Sequence, residues 1–120
     1  MTNQVTSLED TQDQDRRQDA TAMAEHAAAA TAFLKALGHD GRLMILCHLI
    51  SGPKSVSELE NLLVSRQAVV SQQLARLRLE GMVSARREGQ AIYYSILDPK
   101  VRDILMLLHK LFCQPGDDRA

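Results

Sequence analysis

Two cysteines, and a run of serine, glutamine and arginine side chains between them, are the groups in this 120-residue chain best able to do chemistry. Cys47 and Cys113 stand 66 positions apart. A thiol is a nucleophile when ionised, and otherwise packs as a small hydrophobe. Taken as an arbitrary pair, these two fit the structural role more readily. Residues 65–96 read SRQAVVSQQLARLRLEGMVSARREGQAIYYSI. Gln72 can pair bidentately with adenine and Ser71 can meet more than one base edge. Arg66 and Gln67 stand where a helix start can reach phosphate, Arg76 lies two turns further on, and Arg86, Arg87 and Gln90 crowd a turn. Polar hydrogen-bonding groups for base edges, flanked by cations for phosphates, are the chemistry of DNA recognition. The four histidines, His26, His39, His48 and His109, show no metal-ligand spacing, and no nucleophile stands beside a base. Neither a metal or other cofactor nor enzymatic turnover is therefore expected.

The local pattern predicts the elements that must carry these groups. Met23, Ala27, Ala30, Leu34 and Leu37 recur in steps of four and three, one stripe of a helix that Gly38 ends. Asp40 is expected to cap a second helix from Gly41 to about Ser51, stopped by Gly52-Pro53. Leu43, Leu46, Cys47 and Ile50 share one face of it, but Met44, Ile45 and Leu49 are apolar as well, which marks a central helix with Cys47 on its buried stripe. Ser55 and Glu58 form a capping box for a short third helix through Leu63. Ser65 is expected to cap a fourth helix reaching Glu80, with Gly81 as its stop. On that helix Val70, Gln73, Leu74 and Leu77 gather on one side, and Ala68, Ser71, Gln72, Ala75 and Arg76 point the other way. The outward face is small and polar, so bases could approach it closely.

Met82 to Arg87 and Ala91 to Leu97 then form a hairpin turning at Glu88-Gly89-Gln90, with Ile92, Tyr94 and Ile96 inward. Asp98-Pro99 opens a fifth helix bearing Val101, Ile104, Leu105, Leu108, Leu111 and Phe112. Such a stripe has little left to cover inside one small domain, so the first and last helices are expected to form a homodimer interface. The expected fold class is mostly α with a small β-hairpin wing: a winged helix-turn-helix.

Net charge is −1, which looks wrong for a DNA binder until it is located. Residues 1–20 carry five acids against two arginines, and residues 65–90 carry five arginines against two acids. Phosphates respond to the local field, so a basic patch behind an acidic segment suffices. Residues 1–20 lack apolar periodicity and are expected to be a disordered acidic tail, 21–114 the DNA-binding and dimerisation domain, and 115–120 a flexible C-terminal tail. No apolar run approaches a membrane span, and the polar first residues are unlike a signal peptide. A cytoplasmic location, with both thiols normally reduced, is expected.

LGHDGRLMILCHL (37–49), SVSELE (55–60), RQAVVSQQLARLRLEGMV (66–83) and REGQAIYYSI (87–96) together resemble the ArsR/SmtB family of bacterial repressors over residues 21–113. That resemblance implies a symmetric dimer that binds a palindromic double-stranded operator and leaves it when an inducer binds. The family's metal positions are not matched: SVSELE lacks the Cys-x-Cys box, and the last helix offers only Asp103 and a lone His109. Cys47 and Cys113, with RQ and SQQL in the fourth helix, are instead similar to the BigR/SqrR-type, persulfide-responsive branch. This implies that the two cysteines are a redox-sensing dithiol switch, with a low-molecular-weight or inorganic persulfide or polysulfide as inducer. Cys113, beside His109 and Lys110, would attack first, and Cys47 would resolve. The alternatives are a metal- or metalloid-responsive repressor of the same family using the two thiols, and a thiol-dependent redox enzyme.

Overall fold

Gly38 and the Gly52-Pro53 pair divide the first half of the chain into helices, and Gly81 and Gly89 shape the second half. In a computed structural model the backbone is described for residues 2–113, and side chains for residue 17 and residues 19–113. The order is α1 (Thr2–Leu37), α2 (Asp40–Leu49), β1 (Lys54–Ser55), α3 (Val56–Leu63), α4 (Gln67–Leu79), β2 (Val83–Glu88), β3 (Ala91–Ile96) and α5 (Pro99–Phe112). The chain forms two units, Met1–Leu34 and Lys35–Ala120. The tail expected at 115–120 lies outside the described residues.

The first unit is most of α1. Where a disordered segment is expected over residues 1–20, helical backbone instead continues back to Thr2. No Gly or Pro interrupts residues 2–37, so nothing local ends the helix once it is nucleated further along. Met23 and Leu34 of its apolar stripe are exposed.

The second unit holds the core. Ile45, Leu46 and Leu49 of α2, Leu59 of α3 and Val70, Leu74 and Leu77 of α4 are each no more than 1 % exposed. Met82, Val83 and Val101 complete this layer. At about 1.5–3 kcal/mol for each large apolar side chain, this cluster holds the helix-turn-helix together. Strand β3 is central in a three-stranded antiparallel sheet of order β1-β3-β2. Lys54 pairs with Tyr94 and Ser55 with Tyr93. The two-residue strand β1 was not expected, since it is too short to show a period.

Several caps form as the residues dictate. Ser55 Oγ accepts from the Glu58 amide at 3.2 Å, and the Glu58 carboxylate accepts from the Ser55 amide at 2.9 Å. The Ser55 backbone N–H, then its hydroxyl and the charge of Lys54, hold the Glu58 carboxyl below the ordinary range. Asp98 accepts from the Lys100 amide, with Pro99 in the first turn of α5. Gly81, at φ +74°, closes α4: its amide donates to Arg78 and that of Met82 to Leu77, the paired bonds of a Schellman stop.

Four expectations are corrected. His39, not Asp40, caps α2, its Nδ1 accepting from the Gly41 amide at 3.0 Å, and Asp40 becomes the first helical residue. Arg66 rather than Ser65 precedes α4, because the chain leaves α3 through Val64 in the left-handed region (φ 50°, ψ 52°) and is extended again at Arg66. Glu88 pairs with Ala91, which leaves a two-residue turn, Gly89-Gln90, with Gly89 at φ +64°. Ile92, in the second pair from the turn opposite Arg87, is exposed, whereas Tyr94 and Ile96 are half-buried.

Candidate nucleic-acid interface and thiol pair

Helix α4 buries Val70, Leu74 and Leu77, and this turns the opposite side outward. Gln67, Ala68, Ser71, Gln72, Ala75 and Arg76 are all exposed there. Gln73, expected among the inward residues, is half-buried at the edge. No side chain caps the start of α4. Its first amides can therefore donate outward, next to the exposed guanidinium of Arg66.

The cations differ in how free they are. Arg76 Nε lies 3.2 Å from Glu80 Oε1, and Arg86 Nη2 lies 2.7 Å from Glu88 Oε1. Exposed pairs of this kind contribute about 0–1 kcal/mol, so a phosphate can displace either carboxylate. Arg87 Nε donates to the Gly89 carbonyl at 3.3 Å, steadying the turn while the side chain stays exposed. Arg66 and Arg78 have no carboxylate partner among the described residues. Arg78 was not singled out from the sequence; its place in the last turn of the uncapped helix was the available signal. Arg86, Arg87 and Gln90 lie exposed at the hairpin tip. Helix and hairpin thus present hydrogen-bonding groups and cations within one unit.

The thiols are a separate constellation. Cys47 is not on the buried face of α2, which belongs to Ile45, Leu46 and Leu49. Because α2 is apolar on nearly all sides, periodicity could not choose that face; the packing of α3, α4 and β3 chose it. Cys47 instead opens on a cleft of about 300 Å³ that it shares with Ile50 and, from α5, Leu105, Met106 and His109. Cys113 is exposed at the end of α5, its amide donating to the His109 carbonyl at 2.8 Å. Partial burial against the apolar walls, and secondarily the charge of Cys113, push the Cys47 thiol above its ordinary pKa.

The sign of that shift gives a kinetic expectation. A raised pKa leaves less thiolate at neutral pH, and the neutral thiol's share of stability is lost as pH rises through the raised value. Iodoacetamide should therefore alkylate Cys47 more slowly than a free thiol at neutral pH, with its rate profile displaced to higher pH. In Cys113→Ser the profile should move part of the way back. Peptide mass spectrometry across a pH series measures both, and an undisplaced profile would remove the cleft as the cause. Among the described residues no three His, Cys, Asp or Glu side chains are placed to hold a metal ion together. No described helix is long and apolar enough to cross a membrane.

Residues 39–85, from the cap of α2 to the first half of the hairpin, match the model of the bacterial regulatory protein, arsR family. The chain is also 40% identical over 92 residues to the transcriptional activator HlyU of Vibrio cholerae serotype O1, which spans 77% of this chain and 85% of that protein. This chain belongs to the ArsR family. A second relative of the ArsR-family protein described here is the biofilm growth-associated repressor of Agrobacterium fabrum, 40% identical over 97 residues, 81% of this chain and 83% of that one. Among solved structures, the transcriptional repressor BigR from Xylella fastidiosa superposes with a TM-score of 0.76 at 36% identity, covering 78% of this chain and 96% of that chain. Reduced HlyU from Vibrio cholerae N16961 gives 0.73 at 40% identity, with 78% and 98% covered. The fold is the winged helix-turn-helix of these neighbours, with α3 and α4 as the helix-turn-helix and β2–β3 as the wing. The ArsR-family protein is a DNA-binding transcriptional regulator, and not an enzyme.

Proposed function

We propose that this regulator is a homodimeric repressor that reads a palindromic operator and releases it when a persulfide or polysulfide joins Cys47 to Cys113. Helix α4 would enter the major groove with Ser71 and Gln72 toward the bases, Gln67 and Arg76 flanking them, and Arg66 at phosphate. The wing would bring Arg86, Arg87 and Gln90 to the backbone beside the groove. Repression, rather than activation, follows the relatives named as repressors. The observation that carries the switch is the placement of Cys47 in the α2–α5 cleft, within the field of Cys113.

The chemistry needs no further group. A Cys113 thiolate attacks a terminal sulfane sulfur of the polysulfide; that S–S bond breaks, the shortened polysulfide leaves, and Cys113 carries a persulfide. Cys47, after losing its proton, attacks the Cys113 sulfur and hydrosulfide departs, which leaves a disulfide. Where both residues are persulfidated first, the same condensation leaves a longer bridge. His109 lines the cleft and can take the proton from Cys47.

DNA binding separates the two kinds of contact. Gln72→Ala should relax base preference at a cost of about 1–3 kcal/mol. Arg87→Ala should weaken operator and random sequence alike and reduce the salt dependence by about one phosphate. Binding measured on both DNAs over a salt series distinguishes them, and a Gln72→Ala protein that discriminates as the parent does would move the reading face off α4.

A further inference from the structure

Helix α2 is held at each end by an arginine. Near its start, Arg42 reaches back to the last turn of α1: Nε donates to the Ala36 carbonyl at 2.7 Å and Nη2 to the Lys35 carbonyl at 3.3 Å. The Lys35 carbonyl also accepts from the Gly38 amide at 3.2 Å, and a cation at this helix end meets the negative end of the α1 dipole. The remaining arm goes elsewhere, with Nη1 donating to Gln73 Oε1 on α4 at 3.1 Å. Among the described residues this is the only hydrogen bond between side chains of two different elements. The Gln73 side chain packs beside the start of α2 at the same place, since a Cβ on Gly41 would lie 3.8 Å from Gln73 Cγ. At the far end of α2, Arg102 of α5 donates to the Ile50 carbonyl at 3.3 Å.

We infer that Arg42 is a positioning residue for DNA recognition, which by holding Gln73 fixes the rotation of α4 and so the bases that Ser71 and Gln72 meet. The inference rests on the reading of α4 as the base-contacting helix. Gln73 directly follows Gln72, so a bond to one restrains the direction of the other. Rotation has large consequences at the tip of a side chain. On a helix ~10–12 Å across, a turn of ~20° displaces an outer atom by about 2 Å, enough to break a hydrogen bond of ~3 Å. The apolar face of α4 resists such a rotation only softly, because Val70, Leu74 and Leu77 are round contacts without direction. The Arg42–Gln73 bond supplies direction. It also makes α2, which carries Cys47, the element through which a strain between α2 and α5 arrives at the reading helix.

The test uses the full chain, reduced, with operator and random duplexes. Gln73→Met keeps the volume and the Arg42 bonds to α1 but removes the acceptor. It should lose about 5- to 10-fold of operator preference, keep random-sequence affinity within about twofold, and lower the unfolding midpoint by no more than about 5 °C. Arg42→Lys should lose preference equally, because an ammonium that meets an α1 carbonyl cannot also reach Gln73 in a fork. Gln72→Ala runs beside them. If it loses preference while Gln73→Met does not, this inference fails and the reading of α4 stands. If neither loses preference, both fail. If Gln73→Met weakens operator and random binding in parallel with a lower midpoint, the bond is merely structural and the inference is overturned.

Discussion

Cys47→Ser and Cys113→Ser will each fold and bind operator, and each will stay bound in polysulfide, whereas the parent will lose about 5- to 150-fold in affinity. Folding is spared because Cys113 is exposed and Cys47 opens on a cleft, so a serine hydroxyl at either position leaves no fully buried group unpaired. The loss in the parent follows from where a bridge would act. It would join α2 to the end of α5, and α2 is bonded to α4 through Arg42 and to α5 through Arg102. A dimer reads two half-sites at once, at a spacing of about 34 Å, so a small displacement is penalised at both. A coupling of about 1–3 kcal/mol is all this requires. An ordinary disulfide demands Cα atoms within about 7 Å, and added sulfurs relax that limit. Polysulfide should therefore release the operator with less backbone movement than peroxide needs. Intact mass should show the parent losing two thiol hydrogens, with sulfur added where both thiols were persulfidated before condensing, and each single mutant carrying at most an open persulfide. Release of DNA from either mutant would end the two-thiol mechanism, leaving the cysteines to act singly or not at all.

What was legible in the sequence was local. The Ser55–Glu58 box, Asp98-Pro99 and Gly81 each act through residues at most five positions away, and each formed where expected. The outward face of α4 was legible because Val70, Leu74 and Leu77 repeat on one side, opposite Ser71, Gln72 and Arg76. Helix α2 had no such contrast, so the face of Cys47 was decided by helices and a strand distant in the chain. The caps of α2 and α4 shifted by one residue each way because His39 and Arg66, poor cap formers by type, took positions that the tight connections imposed. Arg42 gave no local sign of its role, since its side-chain partner Gln73 is 31 residues away. The DNA-facing groups were readable because exposure and hydrogen-bonding type suffice to nominate them. The reading of Cys47 and Cys113 as a pair was carried by resemblance alone, as no spacing predicts contact over 66 positions.

Leu111→Glu will yield folded monomers that no longer bind operator tightly. Helix α5 buries Val101 and Leu105 within its own protomer, yet Met106, Leu107, Leu111 and Phe112 remain between 47 % and 77 % exposed. A surface helix with apolar groups on both sides is under-satisfied alone, and in a symmetric dimer these four side chains would meet their own copies. Each contributes up to about 1.5–3 kcal/mol when fully buried, so the eight together supply at most about 12–24 kcal/mol against an association cost of about 4–15 kcal/mol. A carboxylate at position 111 would enter that interface twice by symmetry, each copy unpaired and costing several kcal/mol, so dissociation at micromolar concentration is expected. The monomer should keep its unfolding transition, because Leu111 is 58 % exposed and no core contact is lost. Without the partner each protomer holds one half-site, and affinity should fall toward the non-specific range of about 10⁻⁴–10⁻⁶ M. Sedimentation of the reduced protein with and without operator measures both steps. An intact Leu111→Glu dimer would take the end of α5 out of the interface, and a monomer that still bound operator at parental affinity would show that one reading head suffices.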